Sequence, residues 1–460
     1  MKNINIGIVG YEKKYAKFFN HAKNSKSIYK IKFIHKSNID KKKFKRNLIN
    51  ELKIKYIKFL VICNNKFNNE IIEIINSLIK KNIVIVKAST NYEIENHGFI
   101  IQKYFKDFSF RDIFLRETLK INSNQIKKDI QNKKVLVTGG AGSIGSNLVL
   151  NLLRFNPKKI YVIDNNEYSI FKLKQKILNN HLKIIEYKIS DVTKLESIKK
   201  YIYNTKPDII FHTAALKHVT FLEKNPSEGV ETNIFGTKNI LDAAIKNNVK
   251  KFIHISSDKA AEPKSILGIT KFLSEIICVN ANSKKTKIGI VRFGNVFDST
   301  GSVSETFRNK ILNNEKISIS HKSVKRFFMS KDESSNLLFN VQHYLNKKKQ
   351  IQLFTHDMGK AIKIKDLAKK MIFLSGRRPD NFIIKKYSGL NAGEKLKEKL
   401  LNSFEDVIGK DDNNIIEFKT KKKFNLSIVL KQLINLNKKN WTDNKKNKYL
   451  KNIKKKIFNR

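Results

Sequence analysis

The chain is nearly without cysteine, holding only Cys63 and Cys278 in 460 residues. Both lie in apolar runs, so they read as small core residues, and a disulfide-stapled secreted scaffold is excluded. Long hydrophobic runs are missing as well, and none approaches the roughly 20 residues that a bilayer-spanning helix needs. The N-terminus, MKNINIGIVGYEKK, passes from a short strand-like segment straight into charge and has neither the apolar region nor the cleavage site of a signal peptide. A cytoplasmic protein is the expectation. Acidic residues are scarce, 40 against 93 Lys and Arg, which leaves a net charge of +53. Yet only ten of those 93 are Arg. A nucleic-acid binder more often gathers Arg and aromatics on one face. Lysine spread through the chain beside abundant Asn and Ile fits an AT-rich coding bias instead. No nucleic-acid partner is expected, and the charge leaves room for weak peripheral attraction to acidic membrane surfaces. No metal is expected, and there are no internal repeats.

What is present is enough apolar residue, 40%, for a sizeable core, in a length that suits more than one domain. Residues 1–105 read as a first α/β unit, with strands at 4–9, 56–63 and 83–86 and a helix at 69–80. Its first turn, Gly10-Tyr11-Glu12-Lys13-Lys14-Tyr15, has one glycine where a dinucleotide fingerprint needs three, so this is a degenerate Rossmann-like module. Residues 106–133 read as connecting helical material. From 134 to 404, strands at 134–138, 159–163, 182–187, 208–213, 251–256 and 287–293 alternate with helices at βαβ spacing. That pattern implies a doubly wound parallel sheet with helices on both faces, an extended Rossmann architecture with a small C-terminal substrate-binding part. Loops dominate from about 295, broken by helices at 331–346 and 364–374. Residues 405–460 read as a basic tail, a solvated or frayed end with a lysine-rich helix at 438–456.

The strongest motif is VLVTGGAGSIG at 135–145. A strand runs through Thr138 into Gly139, Gly142 and Gly145, and an apolar helix at 147–153 follows. Glycines there allow a tight turn and bring backbone N–H groups, those of Ser143 and Ile144 among them, close to a pyrophosphate at a helix N-terminus. Asp164 ends the next strand, 25 residues after Gly139. A carboxylate there accepts hydrogen bonds from an adenosine ribose and repels a 2′-phosphate, and Asn165 and Asn166 supply no cation for one. This favours NAD over NADP. Asp191 and Val192 stand where adenine packs, and a helix N-cap is the competing reading of Asp191. Ala214 and Ala215 end the fourth strand and let a cofactor approach. After the apolar run 251–255 come Ser256, Ser257, Asp258 and Lys259, at the strand end where such sheets bind ligands. Lys271 follows twelve residues later.

Together these segments resemble the extended short-chain dehydrogenases, and within them the polysaccharide-biosynthesis group of UDP-N-acetylglucosamine 4,6-dehydratases. The resemblance rests on HTAALKHVTFLEKNP (212–226), ETNIFGTKN (231–239), SSDKA (256–260), VRFGNVFDSTGSV (291–303), KRFFMS (325–330), HDMGKAIKIKDLAKKMI (356–372) and GLNAGEKLKEKL (389–400). It covers roughly 130–402. Residues 1–130 resemble the N-terminal extension of the larger members, without the transmembrane helices many of them carry. The resemblance implies that hydride leaves the sugar C4 for bound NAD+, the C5 proton is lost as the C6 hydroxyl departs, and hydride returns to C6. By the same resemblance Lys259 is the base at C5, Asp258 the acid for the leaving hydroxyl, and Lys271 the ligand of the nicotinamide ribose. Burial beside NAD+ and Lys271 would suit a lysine base. Many short-chain dehydrogenases carry a catalytic Tyr four residues before that lysine. Leu267 stands there, as an apolar residue does in the larger members, which leaves Ser257 or a water to deprotonate the C4 hydroxyl. Asn233 supports the active-site strand and is grouped with the cofactor contacts, Lys217 and His218 fall near cofactor and sugar, and a core place is the alternative for His218. Asn295, Arg326 and Glu394 match nucleotide-sugar contacts, whereas Arg292 lies inside a strand where a structural role competes. The R-P-G-E-K-L of the family is Asn391-Ala392-Gly393-Glu394-Lys395-Leu396, which removes one cation near UDP. A UDP-sugar substrate and a homo-oligomer are the expected partners. The competing functions are a UDP-hexose 4-epimerase, which usually needs Tyr at 267, and a non-catalytic NAD-sensing scaffold.

Overall fold

A computed structural model describes residues 4–9, 29–35, 59–62, 84–87, 110–114, 116–347, 351–375, 382–384, 386–438 and 441–459. Contacts divide the chain into two units. One comprises Met1–Thr118, Val303–Lys322 and Lys363–Ser388; the other comprises Leu119–Ser302, Ser323–Ile362 and Gly389–Arg460. The expected boundaries at 105 and 133 are therefore replaced by one at 118, and two later segments join the first unit. The reason is local packing. The helix Val303–Leu312 packs on Ile364–Leu374, which in turn packs on the strand Val84–Lys87.

The first unit holds a parallel sheet of four strands, β1 (Ile4–Val9), β2 (Tyr29–His35), β3 (Phe59–Ile62) and β4 (Val84–Lys87), in the order β2-β1-β3-β4. Sequence reading places three of these and misses β2. The loop at Gly10 and the helix expected at 69–80 lie outside the described residues.

The second unit is built on nine strands: β5 (Lys134–Thr138), β6 (Lys159–Asp164), β7 (Ile185–Ile189), β8 (Ile209–His212), β9 (Lys251–Ser257), β10 (Lys287–Phe293), β11 (Ile351–His356), β12 (Glu405–Lys410) and β13 (Ile415–Thr420). Their order is β12-β13-β11-β10-β9-β8-β5-β6-β7. Strands β5 to β11 are parallel, and β13 and β12 close one edge antiparallel. The strand order reverses between β5 and β8, which opens a crevice at their C-terminal ends. Period-two alternation sends neighbouring side chains into two separate cores. Phe252, Ile288 and Ile290 enter one, and Ile253, Ile255, Val291 and Phe293 the other.

Helices α1 (Ser143–Leu152), α2 (Glu167–Gln175), α3 (Leu195–Thr205), α4 (Val219–Lys224), α5 (Gly236–Lys246), α6 (Ile266–Val279), α7 (Lys331–Tyr344), α8 (Leu426–Lys438) and α9 (Asp443–Asn459) surround the sheet. α6 is the central one, buried at thirteen of its fourteen positions.

Two readings need correction. The strand expected at 182–187 is displaced to 185–189, because residues 179–182 form a short helical turn first. The segment 405–460 is no tail. It supplies β12, β13, α8 and α9, and Phe418, Leu433, Leu436, Leu450 and Ile453 are buried in the core around α6. Frequent lysine hides this pattern, since the apolar residues recur at helical spacing beneath a charged outer face. No described helix is long and apolar enough to cross a membrane.

Candidate active site

The glycine loop leaves β5 through Gly139, whose φ is +62°. A β-carbon there would stand 2.6 Å from the Ala214 Cα, and one on Gly145 would stand 2.3 Å from the Gly139 carbonyl oxygen. The chain folds so tightly that only glycine fits at either position. Gly142 is the N-cap of α1 and has no side chain with which to cap it. The loop is held on its outer side by Asp164, whose Oδ2 accepts the Ala141 N–H at 3.0 Å while Oδ1 accepts that of Asn166 at 3.0 Å. Asn165 donates to Asp191 Oδ2 at 3.1 Å. Burial pushes the Asp191 carboxyl up, but hydrogen bonds from Thr193 and Asn165 outweigh it, and the net displacement is down. The N-cap of α3 is Lys194, so Asp191 is not that cap; it accepts from the Thr193 N–H at 2.8 Å instead.

Three residues grouped with the cofactor contacts also bond or pack within the protein. The Thr138 hydroxyl points into the core and bonds His212 Nδ1 at 2.7 Å. Val192 is a core residue against Gly236. The buried Asn233 amide takes the Leu216 N–H at 2.8 Å and donates to the Leu216 carbonyl and the Thr270 hydroxyl. Asn233 thus fixes the loop that carries Ala214, Ala215 and Lys217. Lys217 is exposed and donates to the Thr300 carbonyl at 2.5 Å. Ser143 joins the same loop, accepting the Thr300 N–H at 2.9 Å and donating to its hydroxyl at 2.8 Å. Gly301, with φ +69°, lies so near the His218 ring that a β-carbon would meet it at 2.4 Å. His218 is therefore an exposed residue at the crevice rather than a core histidine, and burial by its neighbours, then Lys217, holds its pKa down.

Across the crevice, β9 ends at Ser257, which begins a short turn over Asp258–Ala260. Asp258 is fully buried. Its Oδ1 accepts from Lys259 Nζ at 2.9 Å and from the Ser257 hydroxyl at 3.1 Å. Its Oδ2 is buried with no hydrogen-bond partner. Lys259 also donates to Asn295 Oδ1 at 3.1 Å, so Asn295 stands beside the charged pair. A buried carboxylate oxygen with nothing to accept from is costly, and a site that keeps one is prepared for a proton or a donor.

Burial pushes Lys271 down to about 8, with Glu275 opposing. Beneath it His212 and His254 stack at 5.5 Å. Burial, then Lys271, drives His212 to about 3 and His254 well below its ordinary value. Both rings are neutral at pH 7. Leu267 is buried in the core. Arg292 proves structural: fully buried, it pairs with Glu275 at 2.6 Å and Glu405 at 2.6 Å, and the two carboxylates hold it charged against the downward push of burial. Arg326 and Glu394 are brought together at 3.2 Å, and the same guanidinium donates to the carbonyls of Lys325 and Lys395.

A switch-point crevice, a glycine-cradled helix start and an Asp-Lys pair at the end of β9 define a Rossmann-type nucleotide-cofactor protein of the extended short-chain dehydrogenase class. Residues 135–420 match the family described as polysaccharide biosynthesis protein, and the chain belongs to that family. It is 36% identical over 304 residues to the capsular polysaccharide biosynthesis protein CapD of Staphylococcus aureus, covering 65% of this chain and 50% of CapD. The chain thus spans about half the length of that relative. It is 32% identical over 277 residues to the UDP-N-acetylglucosamine 4,6-dehydratase (inverting) of Campylobacter jejuni, covering 59% of this chain and 78% of that one. Among solved structures, Pen from Bacillus thuringiensis superimposes with a TM-score of 0.57 at 29% identity, over 66% of this chain and 98% of Pen.

Proposed function

We propose that the protein is an NAD-dependent 4,6-dehydratase that converts UDP-N-acetylglucosamine to a UDP-4-keto-6-deoxy-N-acetylhexosamine for surface-polysaccharide synthesis. The observation that carries this reading is the Asp258-Lys259 pair, with one carboxylate oxygen shared and the other buried and unpartnered. The sequence likeness to a named dehydratase of the same substrate supports it.

The residues fit NAD, because the positions at Gly139 and Gly145 have no room for a β-carbon and Asp164 stands at the end of β6. When bound, NAD supplies the hydride acceptor for C4 and the hydride donor for C6. Lys271 on α6 holds the nicotinamide ribose. The proton of the Asp258-Lys259 pair has two homes, separated by 2.9 Å. Moved from Nζ to Oδ1, it leaves an amine and a carboxylic acid, the forms the reaction needs. Asp258 gives its proton to the C6 hydroxyl, which departs as water, while Lys259 takes the C5 proton. Lys259 later returns a proton to C5. The C4 hydroxyl proton leaves through Ser257 or a water and restores the balance. Arg326, Glu394, Asn295 and His218 bind the nucleotide sugar.

The test is to incubate the pure protein with UDP-N-acetylglucosamine and no added NAD, and to weigh the product by mass spectrometry. Loss of one water supports the dehydratase; an isomer of unchanged mass would make it an epimerase. Binding of NAD with neither product would make it a sensor.

A further inference from the structure

Glu223 lies on α4, which starts directly after Lys217 and His218. Its side chain is 8% exposed, and sequence gives it no role. Oε1 accepts the N–H of Ile266, the first residue of α6, at 2.7 Å. Oε2 accepts from Asn447 Nδ2 at 3.1 Å and Lys451 Nζ at 3.2 Å, both on α9. Asn447 Nδ2 also donates to the Glu223 carbonyl at 3.0 Å. Gly393, in the turn before Glu394, has φ +75°; a β-carbon there would stand 2.8 Å from Glu223 Oε1 and 2.7 Å from Ser265. Four segments therefore meet at Glu223: α4, which follows the loop of Lys217 and His218, the first turn of α6, the turn before Glu394, and α9.

The first turn of α6 is itself packed on the Asp-Lys pair. A β-carbon on Gly268 would stand 2.4 Å from the Lys259 carbonyl oxygen. A helix start carries orphan N–H groups and partial positive charge. Ser265 Oγ satisfies the Gly268 N–H at 3.0 Å, and a Glu223 carboxyl oxygen satisfies that of Ile266 at 2.7 Å. Helix α9 lies beyond residues 135–420, where the family match ends, yet it anchors the other oxygen.

We propose that Glu223 is the positioning residue of this active site: it fixes the first turn of α6 against Lys259, and α9 fixes Glu223 through Asn447 and Lys451. The inference deepens the dehydratase reading and rests on it for the role of Lys259. Glu223 touches no reacting atom.

The test compares full-length wild type, Glu223→Ala, Glu223→Gln and the double variant Asn447→Ala/Lys451→Ala, all below their melting temperatures. Two readouts are taken: amide hydrogen exchange in peptides covering 264–270, and kcat with UDP-N-acetylglucosamine. Glu223→Ala should speed exchange roughly tenfold, as expected for an orphaned buried N–H. It should lower kcat about ten- to a hundredfold, the scale of sub-ångström to ångström misplacement of a reacting group. Glu223→Gln keeps an acceptor for Ile266 and should restore most of both. The double variant should move both readouts in the same direction, and it carries the test if Glu223→Ala does not fold. A merely structural role lowers the melting temperature alone; wild-type exchange and kcat in the double variant, or a Gln variant as impaired as Ala, would overturn the proposal. If the wild type itself does not dehydrate the substrate, the reaction reading fails while the exchange comparison still decides the role of Glu223.

Discussion

Asp258 and Lys259 are adjacent in sequence, which is why their pairing was legible without a structure: a turn after a strand keeps neighbouring side chains together. The tight turn at Gly139 and Gly145 was legible for a similar reason, since one βαβ unit carries it. The supporting role of Asn233 was legible in its motif, whereas the core contacts of Thr138 and Val192 were not. Thr138 ends β5, Val192 lies in a turn beyond β7 and Asn233 on a helical segment at Val230–Phe235, and their inward contacts are set by partners far along the chain. Glu223 was invisible because its partners lie 43, 224 and 228 residues away. At this scale, Lys259→Met should abolish turnover yet leave NAD affinity unchanged in calorimetry, because Lys271 and the glycine loop remain. Asp258→Asn should lower kcat by about 10²–10⁴-fold, the usual worth of a general acid. NAD should bind more tightly than NADP, and Asp164→Ala should narrow the gap; a wild type that prefers NADP would show that Asp164 does not read the ribose.

The layer between the sheet and α6 is polar, which no apolar periodicity could announce. Thr138, His212 and Thr237 are linked by hydrogen bonds of 2.7 and 3.0 Å, His254 bonds Ser274 at 2.9 Å, and the two rings stack at 5.5 Å, across β5, β8, β9, α5 and α6. The layer sets a pH dependence whose sign follows from the two neutral rings. The folded pKa values of His212 and His254 lie below the unfolded value near 6.5. Between those limits the unfolded chain binds more protons, so stability rises with pH across that window and is lost as pH falls below about 6.5. Thermal melts at pH 7.5 and 5.0 should show the wild type losing more stability on acidification than His254→Asn. Equal losses in the two proteins would remove His254 from the explanation. Among the elements, buried parallel strands were the most legible, because continuous apolar runs mark them. The edge strands β12 and β13 were missed: only Ile415 and Phe418 of β13 are buried, and charge dominates the rest.

At the scale of the molecule, the net charge of +53 is uninformative about partners, and the segment it most disguises is structural. Phe458 of α9, Phe404 and Phe424 all lie within 6.2 Å of the Phe272 ring on α6, and Arg292 reaches Glu405. Truncation after residue 404 should therefore abolish cooperative unfolding, since Phe272 loses Phe424 and Phe458 and Arg292 keeps only Glu275 of its two buried carboxylates. A truncated protein that melts like the full chain would restore the view of 405–460 as a tail. The four-stranded sheet of the first unit is proposed to bind no dinucleotide, so a titration should find one equivalent of NAD per chain. The central claim is that Asp258 and Lys259 carry out dehydration through the sugar C5. The most direct measurement is the reaction of UDP-N-acetylglucosamine in D2O, followed by NMR and mass spectrometry of the product. The account predicts loss of one water and one deuterium at C5 for the wild type, with neither change for Lys259→Met. Deuterium entering C5 at the wild-type rate in Lys259→Met, or a dehydrated product without deuterium at C5, would contradict it.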